Sequence, residues 1–286
     1  MKVAAIGGGH GTAVTLRALG LLECEITAIV SVADDGGSTG ALREALGIAG
    51  VGDIRKCLIA LAGGNKPWGE FLDFRFQDPT MGNHALGNLF LAAALGNIPS
   101  LEGAVASIAK LIDARGSVIP ASRSGVMLEA VCKSGTVMGQ VAIGQSSEIQ
   151  RISTVPAGVV APESAVRAIE EADFVLLGPG SLFTSVLAAC VVPGIAEAIA
   201  KTDALRVWLA NLEELDPETK GLGLDGQFDA LARHGVEVDV IVVNDTGNST
   251  HDIANVGVIT ADVAGANHKV HDPVKLARVL DQIMAN

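Results

Sequence analysis

Ile26-Thr-Ala-Ile-Val-Ser-Val32 runs straight into Ala33-Asp34-Asp35-Gly36-Gly37-Ser38-Thr39-Gly40, and a helix-like segment, Ala41 to Leu46, follows. An apolar, β-branched run that stops at two carboxylates, paired glycines and two hydroxyls reads as a buried strand delivering a polar loop to a helix N-terminus. Such a loop offers backbone N–H groups to phosphate and side-chain oxygens to ribose or a metal. The same layout stands upstream. Val3–Ile6 predicts a short strand, Gly7-Gly-Gly-His-Gly-Thr12 a loop, and Ala13–Leu22 a helix. Strand, loop and helix, twice in succession, open a doubly wound parallel sheet.

Beyond this opening the pattern turns helical. Asp53-Ile-Arg55 starts a helix through Leu61, Leu89–Leu95 is strongly apolar, and 104–114 is amphipathic. These define a helical insertion over about 52–115. The period then shifts towards two, and Val126–Cys132, Lys-Ser-Gly135 and Thr136–Val141 predict a hairpin, with Ile149–Val155 a third extended piece. That is a β excursion over about 117–157. Afterwards strands at Phe174–Leu177, Leu205–Ala210, Val238–Val243 and Val256–Thr260 alternate with helices at Ala161–Glu171, from Leu182, Ile195–Ile199, Leu224–His234 and Pro273–Met284. The expectation is one α/β domain over 1–286: a Rossmann-like, doubly wound, mostly parallel sheet with helical and β-hairpin excursions.

Composition limits the partners. About half of the 286 residues are hydrophobic, while Tyr is absent and aromatics are few, so Ala, Val, Ile, Leu and Gly must build the core. A net charge of −12 argues against nucleic acid. An anionic small ligand stays possible, because loop amides and a few arginines make a local positive site. Cys24, Cys57, Cys132 and Cys190 form no CxxC pair and read as reduced residues of a cytoplasmic protein. No cleavable signal layout is present, and no apolar run reaches about 20 residues without Gly or charge, so no membrane span is expected.

The candidate site residues sit after the apolar runs. In the first loop, Gly8, Gly9, His10, Gly11 and Thr12 allow close backbone approach to an anion, against the plainer reading of a tight turn. Asp34 and Asp35, the candidate catalytic pair, end the second strand, where ribose hydroxyls are commonly met. Asp34 is also the candidate Mg²⁺ ligand. Gly36, Gly37 and Ser38 complete that loop, and Asp35 or Ser38 also reads as a simple helix cap. Gly178-Pro179-Gly180-Ser181 is a second phosphate-type loop, extended by Thr184. Asn211 and Asn244 end two further strands. From the helical insertion come Asp53, Arg55, Arg75, Asn83, His84 and Asn88. Arg55 or Arg75 suits bidentate phosphate contact, and His84 and Asn88 share a face if helical. Arg43 reads as a solvated helix residue, and His268 and His271 as solvated loop residues. His10, His84, His234 and His251 stand alone, so no metal cage is visible. No nucleophile elbow or P-loop lysine is present.

Taken together, Gly7–Gly11, Ala33–Gly40, Gly52–Arg55, Phe74-Arg-Phe76, Gly82–Leu89 and Gly178-Pro-Gly-Ser-Leu-Phe-Thr-Ser185 resemble the YvcK, or gluconeogenesis-factor-like, group of the CofD-like superfamily. The resemblance covers essentially the whole chain. It implies a Rossmann-like core that binds UDP-sugars, above all UDP-N-acetylglucosamine, with NAD able to occupy a similar site. It implies a regulator of cell shape, wall synthesis and gluconeogenic carbon use. The alternative it carries is a Mg²⁺-dependent CofD-type transferase, moving a phospholactyl group from a guanosine diphosphate-linked donor. A plain NAD-type dinucleotide-binding protein is the third reading. The expected partner is thus a nucleotide-diphosphate small molecule, with homo-oligomerisation open. His10, Gln140 and Asp216-Pro-Glu-Thr219 depart from the group's usual Thr, Gly-Glu and Pro-Gly-Glu-Thr patterns.

Overall fold

The computed structural model describes residues 1–62, 66–78, 82–212, 216–247 and 253–285, so the reading of His251 lies outside the described residues. The strands are β1 (Lys2–Gly7), β2 (Glu25–Val30), β3 (Ser117–Pro120), β4 (Met127–Cys132), β5 (Gly135–Met138), β6 (Ile149–Val155), β7 (Phe174–Leu177), β8 (Leu205–Leu209), β9 (Val240–Asn244) and β10 (Gly257–Ala261). The helices are α1 (Gly9–Leu19), α2 (Gly37–Leu46), α3 (Gly52–Leu61), α4 (Lys66–Asp73), α5 (Leu86–Asn97), α6 (Leu101–Leu111), α7 (Gln140–Gly144), α8 (Glu163–Glu170), α9 (Leu187–Cys190), α10 (Ile195–Lys201), α11 (Gly223–Arg233) and α12 (Pro273–Met284).

Seven strands form one sheet in the order β10-β9-β8-β7-β1-β2-β3. Each neighbouring pair is parallel, with Val3 opposite both Ile26 and Phe174. The continuous apolar runs follow from this placement. In β1 only Lys2 is exposed, because helices cover both faces of a parallel sheet. The chain builds outward from β1 in one direction through β2 and β3, and in the other through β7 to β10. The order therefore reverses between β1 and β7. In an open parallel sheet that reversal leaves a crevice beyond the carboxyl ends of the two strands.

Several boundaries differ from the expectations. Ser117–Pro120 pairs with β2 in the main sheet and is not part of the excursion. Its last three residues are all buried, as a strand covered on both faces requires, so period two was the wrong test for it. The excursion proper is a three-stranded antiparallel sheet, β5-β4-β6. Its hairpin ends at Met138, because Gly139 turns at φ 94° and Gln140 starts α7. Helices α1, α2 and α5 all begin earlier than expected, so loop residues Gly9–Thr12 and Gly37–Gly40 form first helical turns. Cys57, Cys132 and Cys190 are buried and Cys24 is half-buried, all as free thiols. Among the described residues no single helix is long and apolar enough to cross a membrane.

Candidate functional site

Helix α1 starts at the sheet's reversal with no side chain capping it. Its N-cap is Gly8, and the first turn is Gly9, His10, Gly11 and Thr12. The free N–H groups of this turn point beyond the strand tips. Gly11 is needed for close approach: a Cβ there would lie 2.1 Å from the Pro179 carbonyl oxygen. Thr15 donates through Oγ1 to the Gly178 carbonyl at 2.7 Å, tying α1 to the loop after β7. Thr12 is buried and donates to Gly8 O at 3.2 Å, so it braces the loop from behind.

The loop after β7, Gly178–Ser181, forms the facing wall. The Gly180 amide donates to Asn211 Oδ1 at 3.0 Å, so the β8 tip positions this loop. Ser181 Oγ donates to Asp216 Oδ2 at 2.8 Å. A cleft of about 320 Å³ lies between the walls, lined by His10, Gly11, Gly180, Ser181, Asn211 and the segment His268–His271. That segment returns over the strand tips through an antiparallel bridge between Ala264 and His271. The Lys269 side chain has no partner among the described residues and lines the cleft. Burial and the nearby Lys56 push the His10 imidazole below its ordinary value.

His271 corrects an expectation. It is not solvated but 8 % exposed, and burial pushes its imidazole down to about 4, so it is neutral at pH 7. The reason is the bridge to Ala264, which no spacing in the sequence announces. His268 is exposed, in the left-handed region at φ 53°.

On the other side of α1, the β2 tip carries a denser cluster. Asp34 Oδ1 accepts the Gly36 amide at 3.0 Å, and Thr39 also bonds its carboxyl. Burial, then the charge of Asp53, pushes Asp34 up. Asp53 is 3 % exposed, lies against Gly8 and pairs with Lys56 at 2.9 Å. Asp35 does not cap its own helix. Its two oxygens accept the amides of Gln140 and Val141 at 2.9 and 3.0 Å, closing the N-terminus of α7. Ser38 caps nothing either: its Oγ meets His84 Nδ1 and accepts from Asn88 Nδ2, each at 3.0 Å. His84 and Asn88 do converge, but His84 precedes α5 instead of sharing its face.

Arg55 is buried and largely engaged within the fold: Nε donates to Asn88 Oδ1, and Nη1 to the Leu72 carbonyl and to Asp73. Arg43 is not simply solvated: it donates to Asp34 O at 3.0 Å and Val126 O at 2.9 Å, pinning the loop to β4. Arg75 is exposed and donates to the Asn83 carbonyl at 3.4 Å, with Asn83 itself at an exposed turn. Gly36 N-caps α2 and Gly37 opens it. Thr184 is buried in a π-helical turn, Leu182–Val186. Asn244 Oδ1 accepts the Val263 amide at 3.2 Å, a brace between β9 and the chain beyond β10. Sequence reading missed Lys56, Asp216, Lys269, His271 and Glu218. Lys56 was legible, three residues from Asp53 on a helix. The others come from loops that only the fold brings together.

A family model described as CofD, 2-phospho-L-lactate transferase CofD, matches residues 3–278. A protein from Clostridium acetobutylicum with the provisional name gluconeogenesis factor is 40% identical over 251 residues, covering 85% of this chain and 56% of that protein. A relative from Nostoc sp. with the same provisional name is 42% identical over 223 residues, covering 77% of this chain and 49% of its own length. The chain thus spans about half the length of these two relatives. The gluconeogenesis factor of Halalkalibacterium halodurans is 35% identical over 247 residues, covering 84% of this chain and 77% of that protein. A crystal structure of a UPF0052 family member from Bacillus halodurans matches with a TM-score of 0.91 at 31% identity, covering 98% of both chains.

Proposed function

The chain belongs to the CofD family, and on that premise we propose that it binds a nucleoside-diphosphate compound of the UDP-N-acetylglucosamine type in the cleft between the β1 and β7 tips. We propose further that binding serves regulation tied to gluconeogenic carbon use, cell shape and wall synthesis. One observation carries the reading. The uncapped first turn of α1 and the Gly178–Ser181 loop face each other where the strand order reverses. Amides and a helix N-terminus suit phosphate oxygens, and Lys269, without a partner among the described residues, adds positive charge in a chain of net −12.

A second reading, group transfer of the CofD type, is favoured by the Asp34–Asp53 pair. Burial, and then the charge of Asp53, raises Asp34, and a divalent cation would relieve both. Among the described residues no group of three or more His, Cys, Asp or Glu could hold a metal. Two carboxylates do fit Mg²⁺, which keeps several waters and takes phosphate oxygens. Asp34 and Asp53 would hold it, and it would neutralise charge on a phosphate.

A thermal-shift panel of UDP-N-acetylglucosamine, a guanosine diphosphate-linked compound and NAD, each with and without Mg²⁺, tests the ranking. The expected outcome is metal-independent stabilisation by the UDP-sugar, about 2.7 kcal/mol at a hundredfold excess over Kd. Stabilisation by the guanosine compound only with Mg²⁺, and none by the UDP-sugar, would overturn it.

A further inference from the structure

Segment Asp216–Thr219 reaches under the loop after β7 and holds it at two points. Asp216 takes the Ser181 hydroxyl, and Glu218 Oε1 accepts the Phe183 amide at 2.9 Å. The hydroxyl and amide of Thr184 face the same carboxyl. From the other side, Gln140 Nε2 donates to the Thr184 carbonyl at 2.7 Å. Side chains from two separate elements therefore fix the π-helical turn that follows the cleft wall. Glu218 is 2 % exposed, and its Oε2 has no hydrogen-bond partner among the described residues. A buried carboxylate with an oxygen left over is stable when neutral and costly when ionised.

We propose that Glu218 is a proton-responsive positioning residue for the cleft: neutral, it holds the Phe183–Thr184 turn that follows Ser181 in place for an anionic ligand, and ionised, it releases that turn. This rests on the binding reading above only for the nature of the ligand. Burial first, and then the charge of Asp216, disfavours ionisation of Glu218. Asp216 on its own segment repels a negative charge at Glu218. On the outer side a separate cavity is lined by Glu218, Lys220, Arg233 and the paired Lys133 and Glu148. An ionised carboxyl gains by reaching water in that cavity, and in doing so it lets go of the Phe183 amide. Burial pushes the Glu218 carboxyl up to about 7, so the change falls at neutral pH. Linkage then requires ionisation to favour any state in which Glu218 is hydrated.

Amide hydrogen exchange of the full chain without ligand, corrected for intrinsic rates, tests this on peptides covering 181–186. With an ordinary carboxylate pKa in the opened state, local opening should rise about tenfold between pH 6 and pH 8. Glu218→Gln should change less than about twofold over the same range. A β1 peptide serves as the reference. If Glu218→Gln does not fold, the wild-type profile against that reference decides alone, and a flat profile overturns the proposal. A second arm titrates UDP-N-acetylglucosamine, whose diphosphate does not titrate in this window, by calorimetry. Its Kd should weaken several-fold from pH 6 to pH 8 in the wild type and stay constant in Glu218→Gln. A pH-independent Kd in the wild type overturns the proposed control. No binding at either pH, with the exchange change intact, removes the nucleotide reading and leaves Glu218 as the switch of the loop.

Discussion

The two flanks of the α1 N-terminus are both polar, yet they are built in opposite ways. On the β2 side, side chains satisfy one another: Asp35 takes two amides of α7, Ser38 joins His84 to Asn88, and Arg55 spends its donors on Asn88, Leu72 and Asp73. On the β7 side, side chains mostly hold backbone in place, as Asn211 does for Gly180, and the cleft surface is main-chain amide, hydroxyl, imidazole, the Asp216 carboxyl that holds Ser181, and a Lys269 ammonium with no partner among the described residues. Polar residues at strand tips are thus of two kinds. Those with every donor and acceptor spent are scaffold, and those that brace a loop leave its amides free for a ligand. Asp34 and Asp53 stand between the two kinds: Asp53 pairs with Lys56, while Asp34 is bonded yet raised by burial and by the charge of Asp53.

The largest test of that contrast is Arg55→Ala. It removes a buried side chain and orphans Asn88 and the Leu72 carbonyl, so a loss of about 3 kcal/mol in urea unfolding is expected. Affinity of the folded fraction for UDP-N-acetylglucosamine should be unchanged. A loss under about 1 kcal/mol, or a collapse of affinity without a loss of stability, would move Arg55 from scaffold to ligand contact. Asp35→Asn should cost less, about 1 kcal/mol, because the amide keeps one acceptor at the α7 N-terminus and gives up the charge. Urea unfolding of variant and wild type at pH 7 reads the difference directly, and a loss near that of Arg55→Ala would make Asp35 as deeply structural as Arg55.

How much of this was legible beforehand differs between the flanks for a physical reason. The parallel core was plain, because strands such as Val3–Ile6 and Phe174–Leu177 are short continuous apolar runs followed at once by glycine. Gly7–Thr12 and Gly178–Ser181 do follow strand ends as expected, although Gly9–Thr12 already form the first turn of α1. Ser117–Pro120 was misassigned because four residues carry no usable period. Asp35 reads from the sequence as a site carboxylate, or more plainly as a local cap, and neither reading reaches its partners at Gln140 and Val141, more than a hundred residues away. Partners outside their own segment also hid Glu218, whose oxygen meets Phe183, and a fold-back hid His271, which is buried only once the chain returns to Ala264. Local chemistry predicts local turns, and long-range satisfaction of polar groups is decided by topology.

The smallest expected change in stability, and the sharpest discrimination, comes from Lys269→Ala. The side chain is exposed and unpaired among the described residues, so unfolding free energy should move by no more than about 0.5 kcal/mol. If the cleft takes a diphosphate, the lost ammonium should weaken calorimetric binding of UDP-N-acetylglucosamine about five- to tenfold at low salt. The difference should shrink as ionic strength rises towards 0.5 M, because an exposed charge is screened over a few ångströms there. Equal affinity of variant and wild type at low salt would mean that the 268–271 segment borders the cleft without facing its ligand. The division between a spent flank and a receptive one would then rest on α1 and the Gly178–Ser181 loop alone.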